Sequence, residues 1–264
     1  MHLNLDGHSV LVTGSSRGIG LAIAEGFLSE GARTVITSRT VDELTAVHST
    51  LSEEYGKDRV MAFSGDLTDE AVAHEAATEI QRKWGGLDHL VCNVGSGQSV
   101  PPLEESSNEW DRVLRINLSG AAVCVRALRP LLTASNDTGA DRGASIVFVG
   151  SVCGLEALGC PTAYAVAKAG LVAYTNNLAK ALAPQGVRVN CVSPGNILFP
   201  GSTWERKLQA DPESVREMLH REVPMNRLGV VEDVSNIVVF LSSERAGFVT
   251  GANWIADGGQ SRSI

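Results

Sequence analysis

The sequence predicts an α/β fold, a doubly wound, mostly parallel sheet of seven strands with helices on both faces. Three observations carry that reading. Short apolar runs alternate with longer helical patterns from one end of the chain to the other. Most of these runs are β-branched and apolar throughout, which marks strands buried on both faces. The distances between runs suit βαβ crossovers.

Taken in order, Ser9–Val12 is the first strand, and a helical pattern over 18–30 follows it. Thr34–Thr37 and Val60–Phe63 are the second and third, with a helical pattern over 41–55 between them. A helix is expected over 69–84, with Asp69 as its cap or first-turn acid. His89–Cys92 precedes a long pattern over 106–134, and Ser145–Val149 precedes another over 162–183. Val187–Val192, a helix over 231–242 and Asn253–Ile255 complete the series. No repeat, low-complexity tract or linker divides residues 1–264, so a single domain is expected. Two stretches break the rhythm. Residues 135–144 read as a polar surface loop. Residues 194–227 carry Pro194, Pro200, Pro212 and Pro224 and no long periodic pattern. An insertion of that size at the carboxyl end of a strand lies where open α/β sheets bind ligands, so a substrate lid or flap is expected there.

Composition narrows the function classes. With 44% hydrophobic residues among 264, the chain can bury a substantial core, which excludes disorder. The net charge of −8, with no Lys/Arg run of five, argues against nucleic acid or an anionic membrane as partner. No apolar run approaches the roughly 18 residues of a membrane span, and residues 1–12 lack a signal-peptide pattern. Five cysteines without a C-x-x-C pair make a disulfide framework unexpected and a reducing cytoplasm the simplest setting. The six histidines show no metal spacing, so no catalytic metal is expected.

Thr13-Gly14-Ser15-Ser16-Arg17-Gly18-Ile19-Gly20 joins the first strand to the first helix. Gly14 permits the tight turn, Gly18 lets backbone approach a pyrophosphate, and Gly20 lets the helix pack closely on the sheet. Free N–H groups and the positive end of the helix then face the anion. A glycine cluster alone is often a structural turn; between a strand and a helix it points to dinucleotide binding. An NAD site usually places a carboxylate about 20 residues past the glycines. Here Ser38 stands 18 residues past Gly20, with Arg39 after it. No acid repels a 2′-phosphate there, and Arg39 and Arg17 can hold one through charge-assisted pairs. Two solvated arginines are the plain alternative; NADP(H) in preference to NAD(H) is the expectation.

Tyr164 and Lys168 lie four apart in Tyr-Ala-Val-Ala-Lys-Ala-Gly, on one face of a helix. A phenol that ionises near about 10 is a poor proton shuttle at neutral pH, and a nearby ammonium is expected to lower that value. Such a pair by itself is common. Its surroundings, Ala163, Ala165, Ala167, Ala169 and Gly170, suit close packing against a cofactor or another subunit. Ser151, 13 residues before the tyrosine and just past the fifth strand, can point a hydroxyl into the cleft or serve as an ordinary turn serine. Asn117 is polar within an apolar helical stretch, which calls for a bound water or a kink.

Thr13-Gly-x-x-x-Gly-Ile-Gly20 and Tyr-x-x-x-Lys resemble the short-chain dehydrogenases/reductases, single-domain enzymes of about this length, and the similarity runs through nearly the whole chain. The resemblance implies a Rossmann-type fold and a catalytic tetrad of Asn117, Ser151, Tyr164 and Lys168. It implies hydride transfer between cofactor and carbonyl carbon, with Tyr164 protonating the oxygen and Ser151 stabilising it. Lys168 would bind the nicotinamide ribose, and Asn117 would hold a water that relays protons from it. Further implied cofactor contacts are Ser16, Ile19, Ser38, Arg39, Asp66 and Leu67 near the adenine, Asn93 and Gly95, and Pro194, Gly195 and Ile197 near the carboxamide. The Arg17/Arg39 pair resembles the NADP-preferring pattern. Three residues depart from the family: Cys92 and Val94 in Cys92-Asn-Val-Gly95, and Phe199 where a threonine is frequent. Ser202 or Thr203 are the candidates to replace that threonine. Ile255-Ala-Asp-Gly-Gly259 matches the family's last strand and turn, a region that in the family contributes to a tetramer interface, though a plain turn explains Asp-Gly-Gly equally well; a homotetramer or homodimer is the expectation.

The expected function is therefore an NADP(H)-dependent, cytoplasmic oxidoreductase interconverting a small-molecule ketone and a secondary alcohol. A 3-oxoacyl-(acyl-carrier-protein) reductase is the alternative within the class, though no basic cluster for an acidic carrier stands out. From other classes, a methyltransferase would want an acid after the second strand, and a non-catalytic NADP-binding sensor would be free to lose Tyr164 or Lys168. Ser96–Val100, Val152, Leu158, Phe199 and Trp204 are the candidate walls of the substrate pocket.

Overall fold

The computed structural model describes residues 2–137 and 143–262, with the side chains of 133–137 left out of the description. The strands are β1 (Ser9–Val12), β2 (Arg33–Ser38), β3 (Val60–Ser64), β4 (His89–Cys92), β5 (Ser145–Val149), β6 (Arg188–Pro194) and β7 (Asn253–Ala256). All pair in parallel, in the order β3-β2-β1-β4-β5-β6-β7. The order reverses between β1 and β4, and a crevice at such a switch point is where open α/β sheets bind ligands.

Each strand feeds two cores because neighbouring side chains point to opposite faces. Leu11, Val35, Leu90, Ile146, Phe148 and Val189 pack on one face against α3 (Glu70–Trp84), α5 (Gly120–Asp137) and α6 (Thr162–Leu182). Val10, Val12, Ile36, Val91, Val147 and Val192 pack on the other against α1 (Gly18–Ser29), α2 (Val41–Tyr55) and α9 (Val231–Ser242). This is the physical basis of the continuous apolar runs. Asp69 caps α3, its carboxylate accepting from the N–H groups of Ala71 and Val72.

The structure corrects three expectations. The helix expected over 106–134 is interrupted. α4 (Ser107–Leu114) passes into a π-helical turn over Arg115–Ser119 before α5 continues. Asn117 sits buried in that turn, so the irregularity it called for is one extra residue in the helical ladder. The proline-rich stretch 194–227 contains two helices, α7 (Thr203–Ala210) and α8 (Pro212–Glu222). Finally, Cys153 and Cys160 form a disulfide with Cα atoms 6.0 Å apart, where none was expected. The other three cysteines are free and buried. Of the expected loop at 135–144, residues 138–142 lie outside the described residues. Among the described residues, no helix is long and apolar enough to cross a membrane, and no group of three His, Cys, Asp or Glu residues could hold a metal ion.

Candidate active site

The glycine loop is built from the ends of three strands. Thr13 Oγ1 accepts from the N–H groups of Asn93 and Val94, at 2.8 and 3.0 Å. Asn93 Nδ2 donates back to the carbonyls of Thr13 and Gly14 at 3.0 and 3.1 Å, and Thr37 Oγ1 accepts from Gly14 N. These bonds lash β4 and β2 to the loop and fix the mouth of the crevice. Thr13 and Thr37, which motif reasoning passed over, do much of this fixing. Gly18 has φ +57°, and a Cβ on Gly20 would lie 2.2 Å from the Gly14 carbonyl oxygen, so neither position accommodates a side chain. The Phe199 ring lies against Gly18, and Val94 packs on Gly14.

At the end of β2, Ser16 Oγ donates to Ser38 Oγ at 3.3 Å and reaches Glu43 at 3.4 Å. Arg39 is largely exposed and stands 3.9 Å from Asp66, whose other oxygen accepts from Thr68 N and Oγ1. Arg17 extends from the loop toward Gly201. Ser202 Oγ accepts from Phe199 N and Glu205 N as the cap of α7, and Thr203 Oγ1 accepts from Arg206. Both candidates for the missing threonine thus have protein partners.

The four residues of the expected tetrad come together across the crevice. Ser151, just past the end of β5, lies beside Tyr164, on the first turn of α6, close enough to act on its hydroxyl. Lys168 is buried one turn further along, its Nζ 5.8 Å from the centre of the Tyr164 ring and 2.8 Å from the Val149 carbonyl oxygen. Asn117 Oδ1 accepts from Ser96 N, while Nδ2 donates to the carbonyls of Ser96 and Val113. Gly95 is where these groups meet: a Cβ there would lie 2.9 Å from Asn117 Oδ1 and 3.1 Å from Lys168 Nζ.

Electrostatics differ from the expectation at one point. Burial pushes the Tyr164 hydroxyl above its ordinary value, and the neighbouring Ser151 hydroxyl opposes this; Lys168 does not bring it down. Lys168 is itself lowered by burial, to about 8. The protein alone therefore supplies a protonated phenol beside an amine poised near working pH.

The Pro194-Gly195-Asn196-Ile197 segment leaves β6 and is stitched to Gly229 by the bonds Gly229 N to Asn196 O and Leu198 N to Gly229 O. A cavity of about 510 Å³ lies beyond Ile197, between Val223–Gly229, α9 and the end of β7; none of the expected tetrad lines it. Trp204 of α7 is covered by the Lys207 ammonium, 4.3 Å from its ring.

A parallel sheet with a glycine loop at its switch point defines a class of dinucleotide-binding α/β proteins, and comparisons with known proteins narrow it. A family model described as Enoyl-(Acyl carrier protein) reductase matches residues 14–261. The 3-oxoacyl-(acyl-carrier-protein) reductase FabG of Aquifex aeolicus is 34% identical, over 98% of this chain and 99% of that protein. The L-sorbose reductase of Gluconobacter frateurii, solved with NADPH and L-sorbose, superposes with a TM-score of 0.92 at 31% identity and complete coverage of both chains. The RhlG/NADP complex of Pseudomonas aeruginosa gives 0.88 at 32% identity, covering 98% of this chain and 99% of that one. The chain belongs to the short-chain dehydrogenase/reductase family and is an oxidoreductase.

Proposed function

We propose that the protein reduces a small ketone to a secondary alcohol, and runs the reverse reaction, with NADP(H) in preference to NAD(H). The observation that carries this reading is the placement of Ser151 beside Tyr164, backed by buried Lys168, on the crevice opened by the glycine loop. A dinucleotide fits the loop, where Gly18 and Gly20 carry no side chain and no side chain caps the N–H groups at the start of α1; the Phe199 ring that lies on Gly18 would turn aside for the pyrophosphate. In this reading Gly14, Ser16, Arg17, Gly18, Ile19 and Gly20 hold the pyrophosphate side. Ser38, Arg39, Asp66 and Leu67 hold the adenosine, and Asn93, Gly95, Tyr164, Lys168, Pro194, Gly195 and Ile197 the nicotinamide riboside. The bound dinucleotide supplies or accepts a hydride.

The side chains supply the rest. Tyr164, kept protonated by burial, gives its proton from Oη to the developing alkoxide. Ser151 donates to the same oxygen and stabilises it before and during the transfer. Lys168, close to its own titration point, recharges the site with protons, by way of a water at Asn117. Asn117 also holds Ser96, and with it Gly95, against Lys168. Arg39 is free to swing from its loose partner Asp66 onto a 2′-phosphate, and two solved relatives at 31% and 32% identity hold NADPH or NADP.

A free ketone is favoured over a carrier-bound one. Near the cleft, Arg112 is paired with Glu109 and Arg227 with Asp233, so these cations are committed, and the net charge is −8. Identity to FabG supports the carrier thioester as the second reading. A homotetramer in the cytoplasm completes the proposal; Val166 on α6 and Trp254 and Ile255 on edge strand β7 are exposed apolar residues suited to subunit contacts. The deciding experiment is a panel of ketoses, cyclic ketones and acetoacetyl thioesters, followed by NADPH absorbance. Turnover of free ketones is expected, and turnover of thioesters alone would replace the first reading with the second.

A further inference from the structure

Between Ser151 and Tyr164 the chain leaves the sheet, and Cys153 and Cys160 tie this excursion into a ring. Both cysteines are partly exposed, whereas Cys92, Cys124 and Cys191 are buried. A dissolved thiol or disulfide therefore reaches this pair and not the others. Three contacts connect the ring to its surroundings. Cys153 N donates to Ser151 Oγ at 3.2 Å. Gly154 lies so close to α6 that a Cβ on it would be 2.6 Å from the backbone of Lys168 and Ala169. Glu156 accepts from Arg262 N, where the carboxyl-terminal segment returns to the loop. Val152 and Leu158, two candidate walls of the substrate pocket, lie beside and inside the ring.

We propose that Cys153 and Cys160 are a reversible redox modification site whose disulfide holds the 152–161 loop as a wall of the substrate cleft and whose dithiol form releases it. The effect on catalysis rests on the reading of Ser151 and Tyr164 as the reacting pair. A cross-link over so short a loop removes its open conformations. Gly154 and the Cys153 N–H touch Lys168 and Ser151, whereas the glycine loop lies outside the ring, so loosening it acts on the substrate side of the site and leaves the adenosine end of the dinucleotide in place.

The oxidant is a low-molecular-weight disulfide. One cysteine thiolate attacks a sulfur of that disulfide, whose S–S bond breaks and releases one small thiolate that takes up a proton. The second cysteine thiolate attacks the first cysteine's sulfur in the mixed disulfide and releases the second small thiol. Two cysteine thiols are oxidised and one small disulfide is reduced to two thiols, with two electrons transferred. A small dithiol reverses the exchange.

The test equilibrates the whole enzyme with mixtures of oxidised and reduced dithiothreitol. Alkylation and mass spectrometry read the cysteines, and NADPH-dependent ketone reduction is assayed in parallel. Cys153 and Cys160 are expected to change state together. The ketone KM is expected to rise about fivefold on reduction while NADPH affinity changes by less. The double variant C153S/C160S is expected to match the reduced enzyme in every mixture. Two permanently alkylated thiols, equal KM in both forms, or a double variant that still responds would overturn the proposal. Hydrogen–deuterium exchange of 152–161 in the parent enzyme gives a reading independent of both variant folding and activity. Faster exchange after reduction supports the proposal and equal exchange overturns it. Absence of turnover in both redox forms, with exchange still redox-dependent, would instead sink the functional reading.

Discussion

Lys168 Nζ donates to the carbonyl oxygen of Val149 at 2.8 Å. That one bond joins the strand leading to Ser151 with the helix carrying Tyr164, and it holds the ammonium where burial brings it to about 8. Ketone reduction needs Tyr164 protonated and Lys168 charged. Both conditions hold at low pH, and the second is lost as pH rises through about 8. The kcat/KM for reduction is expected to be level below about pH 7 and to fall with an apparent pKa near 8. A profile flat to pH 10 would remove Lys168 from the protonic role.

Gly95 separates Asn117 from Lys168, and a methyl group there would crowd both. Gly95→Ala is expected to cost about 1–3 kcal/mol of stability and roughly tenfold or more in turnover through the displaced ammonium. Gly97→Ala, where nothing lies within 4 Å of an added Cβ, is the matched control for packing and should leave stability unchanged. Thermal melts and initial rates decide; equal melts of the two variants would contradict the assignment.

Arg39 reaches Asp66 only at 3.9 Å and is mostly solvated. Arg39→Ala is expected to raise the KM for NADPH about 10- to 100-fold, the span of one or two charge-assisted hydrogen bonds, with little change for NADH. Equal effects on the two cofactors would show that Arg39 does not read the 2′-phosphate.

At the amino ends of the strands, His8 Nδ1 and His89 Nε2 are hydrogen-bonded at 2.9 Å, as are His89 Nδ1 and Ser145 Oγ. Burial, then the neighbouring His8 and Arg188, holds the His89 imidazole well below its ordinary value. The folded protein keeps it neutral, while the unfolded chain takes up a proton near about pH 6.5. Stability is therefore lost as pH falls below about 6.5. Denaturant melts from pH 7 to pH 5 are expected to show a steeper loss in the parent than in His89→Gln, and parallel losses would assign acid sensitivity elsewhere.

Much of this was legible in the sequence because burial on both sheet faces leaves a continuous apolar trace, as in Ser145–Val149, whose bounds agree with the structure. Asn117, Ser151, Tyr164 and Lys168 were grouped in the sequence by their resemblance to a family motif, and the structure brings them to one crevice, while the part each plays is a proposal. α7 and α8 were missed because the prolines were read as breakers. Pro212 instead opens α8 at its first turn, and Ser202 and Asp211 cap the two helices. The π-helical turn at Arg115–Ser119 and the Asn117–Ser96 bonds depend on a loop returning from β4, which has no local trace. The Cys153–Cys160 bond depends likewise on how 152–161 turns back, and an odd cysteine count concealed it. The raised Tyr164 was missed because spacing shows that an ammonium is near but not how deeply the phenol is buried.

The proton donor is the centre of the account, and Tyr164→Phe tests it most directly, by single-turnover reduction of an accepted ketone alongside NADPH titration by fluorescence. The predicted result is a rate lowered by about a thousandfold with NADPH affinity within about threefold of the parent. A variant that binds NADPH normally and keeps more than about a tenth of the parental rate would contradict it.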